Sequence, residues 1–274
     1  MGFHPTGNAQ PSPPAGAALE LRAVRRTIDG VEVLRGIHWR VEPQQHWVVL
    51  GPNGSGKTTL MQIASMWLHP SAGEVTVLGQ RLGRTDIRTL RARIGFTSAA
   101  LAKMLRPQVL VSDVVMTALN AALEPWWHEY RDEDRANAQR VLDQVGAGHL
   151  SARRFGTCSE GERQRILVAR SLMTDPGLVL LDEPTAALDL AGREQFISML
   201  NDLASDPANP PMVLVTHHVE EIPNRFTHCL LLRDGRTLAQ GPLREVLTDE
   251  LLSSCFGLRL TIEQRNGRWT ARTN

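Results

Sequence analysis

Three unbroken apolar runs punctuate the chain: Trp47-Val48-Val49-Leu50, Leu178-Val179-Leu180-Leu181 and Met212-Val213-Leu214-Val215. Short runs without polar alternation predict strands of a parallel sheet covered on both faces. Alternating segments precede and follow them. Val31-Glu32-Val33-Leu34 and Ile37-His38-Trp39-Arg40-Val41 predict two strands with one wet face, and Asp29-Gly30 supplies a turn. Val75-Thr76-Val77-Leu78, closed by Gly79, predicts another. A late hairpin runs from Cys229 to Leu232, through Asp234-Gly235, to Thr237-Leu238-Ala239.

Helical patterning fills the intervals. Lys57 to Trp67 contains no breaker and predicts one helix. Val111 to Leu123 carries apolar residues at the helical period and is stopped by Glu124-Pro125. Asp132 to Val145 predicts a further helix, ended by Gly146. Ser159 as N-cap and Glu162 three residues on form a capping box. Behind it Ile166, Ala169, Leu172 and Met173 fall on one face, and Pro176-Gly177 ends the element. The pattern predicts an α/β core with a parallel sheet, interrupted by a helical subdomain near 98–176. Residues 1–18, rich in Pro, Gly and Ala, predict a flexible leader. Residues 251–274 form a C-terminal extension beyond a core spanning 19–250.

Composition narrows the class. A chain of 274 residues accommodates one large α/β domain with a subdomain. Net charge is +1, with arginines interspersed among acids, so no nucleic-acid partner is expected. Cys158, Cys229 and Cys255 have no disulfide or zinc spacing, which suits a reducing cytosol. No apolar stretch is long enough to span a bilayer, and the start lacks a secretory signal. Any membrane role requires a separate partner chain. Trp126-Trp127-His128 reads more readily as packing of the helical subdomain than as a docking patch.

The chemistry concentrates between the first buried strand and the first helix. Gly51-Pro52-Asn53-Gly54-Ser55-Gly56-Lys57-Thr58-Thr59 fits the phosphate-cradling pattern G-x-x-x-x-G-K-S/T at every constrained position. Glycines let the backbone curl so that N–H groups point at phosphate oxygens, and the following helix adds its positive end. Lys57 is positioned to reach the β- and γ-phosphates, and the Thr58 hydroxyl to ligate magnesium. The chain has only two lysines, Lys57 and Lys103, and otherwise uses arginine. An ammonium is a compact point charge where a guanidinium is a broad fork, so lysine at 57 suits a small loop.

Asp182-Glu183 follows a buried strand, beside where such a loop sits. Alone the pair reads equally as a surface turn. With the loop at 51–58, Asp182 is the candidate for holding magnesium and Glu183 for general base. The segment from Cys158 to Glu162 is either a plain helix start or an anion site at a helix N-terminus carrying a serine hydroxyl and Gly161. His217 at a strand end is open to a structural or a functional reading. His218 points to the opposite side if the strand continues, which disfavours a metal pair.

This motif order resembles the ATP-binding subunit of ABC transporters over roughly residues 19–250. Cys158-Ser159-Glu160-Gly161-Glu162 is similar to that family's L-S-G-G-Q signature at Ser159 and Gly161. Ala186-Ala187-Leu188-Asp189 resembles its dimer-contacting loop, and His217 its γ-phosphate switch histidine. The resemblance implies a P-loop NTPase core with a mixed, mainly parallel sheet, an N-terminal antiparallel β-subdomain and an inserted α-helical subdomain. It implies ATP and Mg2+ as ligands. It further implies a homodimer when ATP is bound, each nucleotide lying between the loop of one chain and Ser159, Gly161, Glu162 and Asp189 of the other. A separate transmembrane permease would be the partner, with the chain at the inner face of the membrane.

Departures are informative. Where the family places an adenine-stacking aromatic, this chain has Ile28 after Thr27. The metal-sensing glutamine is replaced at Ser98 or Ala99, and Ser98 is placed to contact water near magnesium. The signature variations are similar to those of small stand-alone subunits of the molybdate-associated type. The expected function is an ATP-hydrolysing motor energising a membrane protein. The alternative is an ATP-driven switch on a cytosolic complex, favoured by the missing glutamine and the lack of a fused membrane segment.

Overall fold

The apolar runs become the centre of a six-stranded sheet. A computed structural model describes residues 16–125 and 129–273. In chain order, β1 (Leu19–Ile28) and β2 (Val31–Val41) precede β3 (Trp47–Leu50) and α1 (Lys57–Ala64). Then come β4 (Ala72–Val77), β5 (Gln80–Arg81), α2 (Ile87–Ala92) and β6 (Ile94–Ser98). A helical stretch holds α3 (Ala99–Met104), α4 (Val111–Met116), α5 (Asp132–Gln144) and α6 (Glu160–Leu172). The core resumes with β7 (Leu178–Asp182), α7 (Leu190–Ser205) and β8 (Met212–Thr216). It closes with β9 (His228–Arg233), β10 (Arg236–Pro242), α8 (Leu243–Val246), α9 (Asp249–Phe256), β11 (Leu260–Arg265) and β12 (Arg268–Thr273).

The central sheet runs β10-β9-β3-β8-β7-β6. All its neighbours pair parallel except β10 with β9. Burial on both faces explains the unbroken apolar runs. Val48, Leu50, Val179, Leu181, Met212 and Leu214 face one core, shared with α4, α5, α6 and α7. Trp47, Val49, Leu178, Leu180, Val213 and Val215 face the other, shared with α1 and the N-terminal sheet. That second sheet is antiparallel, ordered β2-β1-β4-β5. This is the α/β P-loop NTPase architecture read from the sequence.

The turn between β9 and β10 fastens the layers. Gly235 donates its N–H to the Ser55 carbonyl (3.1 Å) and accepts from the Arg35 N–H (2.8 Å). A Cβ on Gly235 would fall 2.3 Å from the Val33 carbonyl oxygen, so the close approach demands glycine.

Several boundaries differ from the pattern. The segments 31–34 and 37–41 join as the single strand β2. The helix expected to reach Trp67 stops at Ala64, because Met66 turns left-handed (φ 64) and Trp67 N–H bonds back to the Gln62 carbonyl. No glycine signals that stop. The helix expected over Val111–Leu123 is α-helical only to Met116, then continues as a 3-10 turn over Thr117–Asn120. Half-buried Arg170 reaches in to Thr117 Oγ1 (3.1 Å) and the Ala122 carbonyl (2.8 Å), holding the irregular backbone there. Ala17 and Ala18 are buried, and Ala18 N–H bonds the Val41 carbonyl, so the last residues of the expected leader belong to the fold. Residues 1–15 and Trp126-Trp127-His128 lie outside the described residues. The extension at 251–274 holds most of α9 and the hairpin β11–β12. Its Arg268 grips both Glu194 carboxylate oxygens (2.9 and 3.0 Å) and the Glu220 carbonyl (2.7 Å). Among the described residues no helix is long and apolar enough to cross a membrane.

Candidate functional site

The loop Gly51–Gly56 leaves β3 and feeds α1 at the carboxyl end of the parallel strands, where open α/β sheets bind ligands. At Gly51 and Gly56 its path leaves no room for a side chain. A Cβ at Gly51 would lie 2.1 Å from the Leu232 carbonyl oxygen, and Gly56 adopts φ 101 against Leu34. Lys57 is 5% exposed, and its ammonium donates to the carbonyls of Gly51 (2.9 Å) and Pro52 (3.2 Å). The hydroxyl of Ser55 is buried without a hydrogen-bond partner. A cavity of about 290 Å3 opens here, lined by Asn53, Gly54, Gly56, Lys57, Thr58, Thr59, Glu183 and, from β2, Val33. Loop, ammonium and orphan hydroxyl fit a polyphosphate.

Strand β7 delivers the two carboxylates. Asp182 is 6% exposed, and Thr58 Oγ1 donates to its Oδ1 at 3.5 Å. Burial pushes the Asp182 carboxyl up to about 6; the Thr58 hydroxyl and Lys57 draw it down, and Glu183 adds to the rise. A buried carboxylate and a hydroxyl at the cavity wall, two hard oxygen donors, fit magnesium. Glu183 turns left-handed (φ 48), unlike its strand. Its Oε1 stands 3.6 Å from Lys57 Nζ and 3.6 Å from His217 Nδ1, and that ring nitrogen is itself buried without a hydrogen bond. Lys57, Thr58, Asp182, Glu183 and His217, distant in sequence, are thus brought together.

Others fall elsewhere. Ser159 caps α6 in the expected capping box: its Oγ accepts from Glu162 N–H (3.3 Å), and Glu162 accepts from Ser159 N–H (2.7 Å). The Ser159 oxygen therefore already accepts one hydrogen bond, and its own proton remains to donate. Asp189 caps α7 by accepting from Gly192 N–H (2.7 Å). Ser159, Gly161, Glu162 and Asp189 line neither cavity described here. Ile28 is exposed at the end of β1. His218 does not point away from His217. The strand ends at Thr216, and the two rings lie 4.0 Å apart, tilted by 44°. Among the described residues no metal-holding cluster of His, Cys, Asp or Glu is found.

A second cavity, about 210 Å3, adjoins the first on the Asp182 side. Ser98 and Ala99 line it, but Ser98 is occupied in capping α3, accepting from Leu101 N–H (3.3 Å). Gln62 also lines it. The sequence carried a signal for Gln62, which lies four residues beyond Thr58 and so on the same helix face. Val33 carried none, since its place depends on how β2 meets the loop.

Comparison with known proteins identifies the family. The family model described as ABC transporter matches residues 34–186. The ABC transporter ATP-binding protein YlmA of Bacillus subtilis is 38% identical over 239 residues, spanning 87% of this chain and 90% of that one. The cobalt import ATP-binding protein CbiO of Rhodobacter capsulatus is 33% identical over 232 residues, spanning 84% and 80%. Among solved structures, cbiO1 from Clostridium perfringens, part of the ABC transporter complex cbiONQ, matches with a TM-score of 0.74 at 25% identity, covering 87% of this chain and 94% of that one.

Proposed function

The chain belongs to the ABC transporter family of ATP-binding proteins, and from that premise we propose that it hydrolyses magnesium-bound ATP to drive a separate transmembrane protein. One observation carries the hydrolytic reading: a single oxygen of Glu183 stands 3.6 Å from both the loop lysine and the strand-end histidine.

In this reading the loop amides and Lys57 bind the triphosphate, the ammonium exchanging the carbonyls of Gly51 and Pro52 for phosphate oxygens. Thr58 and Asp182 hold magnesium, which supplies positive charge to the phosphate oxygens when bound. Glu183 orients a water and accepts its proton as the oxygen attacks the terminal phosphorus. The bond to the bridging oxygen breaks, and its electron pair leaves with ADP. His217, beside Glu183, stabilises the charge on the transferred group. The reaction needs positioning and charge more than covalent chemistry.

Ser159, Gly161, Glu162 and Asp189 line neither cavity of a single chain, which supports a head-to-tail homodimer in which a second copy brings them to the nucleotide. Relatives named as import ATP-binding proteins, for cobalt and for phosphonates, support a membrane partner. Phosphate release from magnesium-ATP by the purified chain, alone and with the membrane protein that co-purifies with it, tests the proposal. Release above the buffer blank, stimulated by that protein, is the expected result. A rate equal to the blank in both cases overturns hydrolysis, and exclusive recovery with ribosomes, DNA or soluble protein overturns the transport role.

A further inference from the structure

Behind the carboxylate of Glu183 lies a second one that the proposed reaction does not use. Glu221 sits in the 3-10 turn Val219–Glu221 that follows His217 and His218. It is 3% exposed, and among the described residues no cationic side chain pairs with it. Its Oε2 accepts two hydroxyl protons, from Thr185 Oγ1 at 2.7 Å and from Thr216 Oγ1. Thr185 lies two residues after Glu183, just beyond β7. Thr216 is the last residue of β8, immediately before His217, and its Oγ1 also accepts the His218 N–H at 3.1 Å.

Burying a carboxylate without a counter-charge is costly, and apolar residues of similar size would fill the space at less cost. What the carboxylate does, and an apolar group does not, is bind the exits of two neighbouring strands to one atom. Those exits carry Glu183 and His217, whose side chains meet at 3.6 Å. We propose that Glu221 is a positioning residue. By accepting the hydroxyls of Thr185 and Thr216 it holds the two strand exits at the spacing that sets Glu183 beside His217. This rests on Glu183 and His217 being the hydrolytic pair.

The experiment compares Glu221→Leu, Glu221→Gln and the triple variant Thr185→Val/Thr216→Val/Glu221→Leu. Leucine keeps the bulk but leaves two buried hydroxyls without an acceptor. The triple variant removes those hydroxyls, so it restores folding without restoring the tie. Glutamine keeps an oxygen with two acceptor sites. The first readout is the imidazole Cε1–Hε1 NMR signal of His217, assigned by its loss in His217→Gln. It is expected to move in Glu221→Leu and in the triple variant, and to stay at its wild-type position in Glu221→Gln. The second readout is ATP hydrolysis. In Glu221→Leu, kcat should fall about tenfold or more with KM within about twofold, because misplacing a reacting group costs rate more than binding. Glu221→Gln should recover most of that loss. The triple variant should melt near wild type yet stay slow. An unmoved His217 signal, or a triple variant with wild-type kcat, overturns the proposal. If wild type itself releases no phosphate, the hydrolytic reading falls, and the His217 signal alone decides the role of Glu221.

Discussion

Glu183 Oε1 lies 3.6 Å from Lys57 Nζ, so the acidic group that follows β7 faces the ammonium of the glycine loop before any phosphate arrives. Nucleotide must compete with that carboxylate for the lysine. Glu183→Gln should therefore bind magnesium-ATP at least as tightly as wild type, while turnover falls about a hundredfold, the usual scale for losing a general base. Titration calorimetry and phosphate release check the two halves. Unchanged turnover would remove Glu183 from the role.

Lys57 is enclosed by the carbonyls of Gly51 and Pro52 at 2.9 and 3.2 Å, a fit for a small charge. Lys57→Arg keeps the charge but brings a planar fork into that space. Both Lys57→Arg and Lys57→Ala should weaken nucleotide binding about tenfold or more, a loss of about 1.4 kcal/mol. Calorimetry showing wild-type affinity in Lys57→Arg would mean that charge alone suffices.

The Asp182 carboxyl, raised by burial to about 6 from its ordinary 3.8, predicts a pH effect. Between those values the native protein binds more protons than the unfolded chain. The contribution of this group to stability is therefore greatest below the lower value and declines as pH rises toward 6. Asp182→Asn should abolish that decline in the nucleotide-free protein, as read by denaturant titration across this range. Magnesium requires the ionised form, so magnesium-dependent nucleotide affinity should rise with pH to near 6 and then level off. Calorimetry in two buffers of different ionisation enthalpy should detect the released proton.

Ser159 performs one task visibly, capping α6, and is proposed for another across the dimer. Ser159→Ala should cost about 1 kcal/mol of stability. Ser159→Asp should keep the cap but bring a negative charge toward phosphate. Stability should then return in Ser159→Asp while hydrolysis stays low. Hydrolysis that returns together with the melting temperature would leave Ser159 only its capping role.

What was legible in the sequence was local. The glycine loop, the capping box at Ser159 and Glu162, and the buried apolar runs ending at Leu50, Leu181 and Val215 each depend on residues close to one another in the chain. Spacing alone identifies them, and the structure forms them as expected. Less legible was whatever the backbone does without glycine or proline. Met66 and Ala121 turn left-handed with no marker in the residue type, and each shortens a helix. The hairpin Leu260–Thr273 does carry a local signal, Leu260, Ile262, Trp269 and Ala271 alternating about Asn266-Gly267, which the expectation of a plain C-terminal extension passed over. Least legible were meetings across the fold: Thr185, Thr216 and Glu221 around one buried oxygen, and His218 folded against His217.

The hydrogen bonds of Gly235, one to Ser55 and one to Arg35, make the glycine loop and the first antiparallel sheet a single cooperative unit. Opening the loop strips the Gly235 amide of its acceptor, and parting β2 from the turn strips the Arg35 amide of its own. In hydrogen-exchange terms, the Gly235 and Arg35 amides should report one common opening event, and the capacity to grip a triphosphate should vanish in the same step that frays β2.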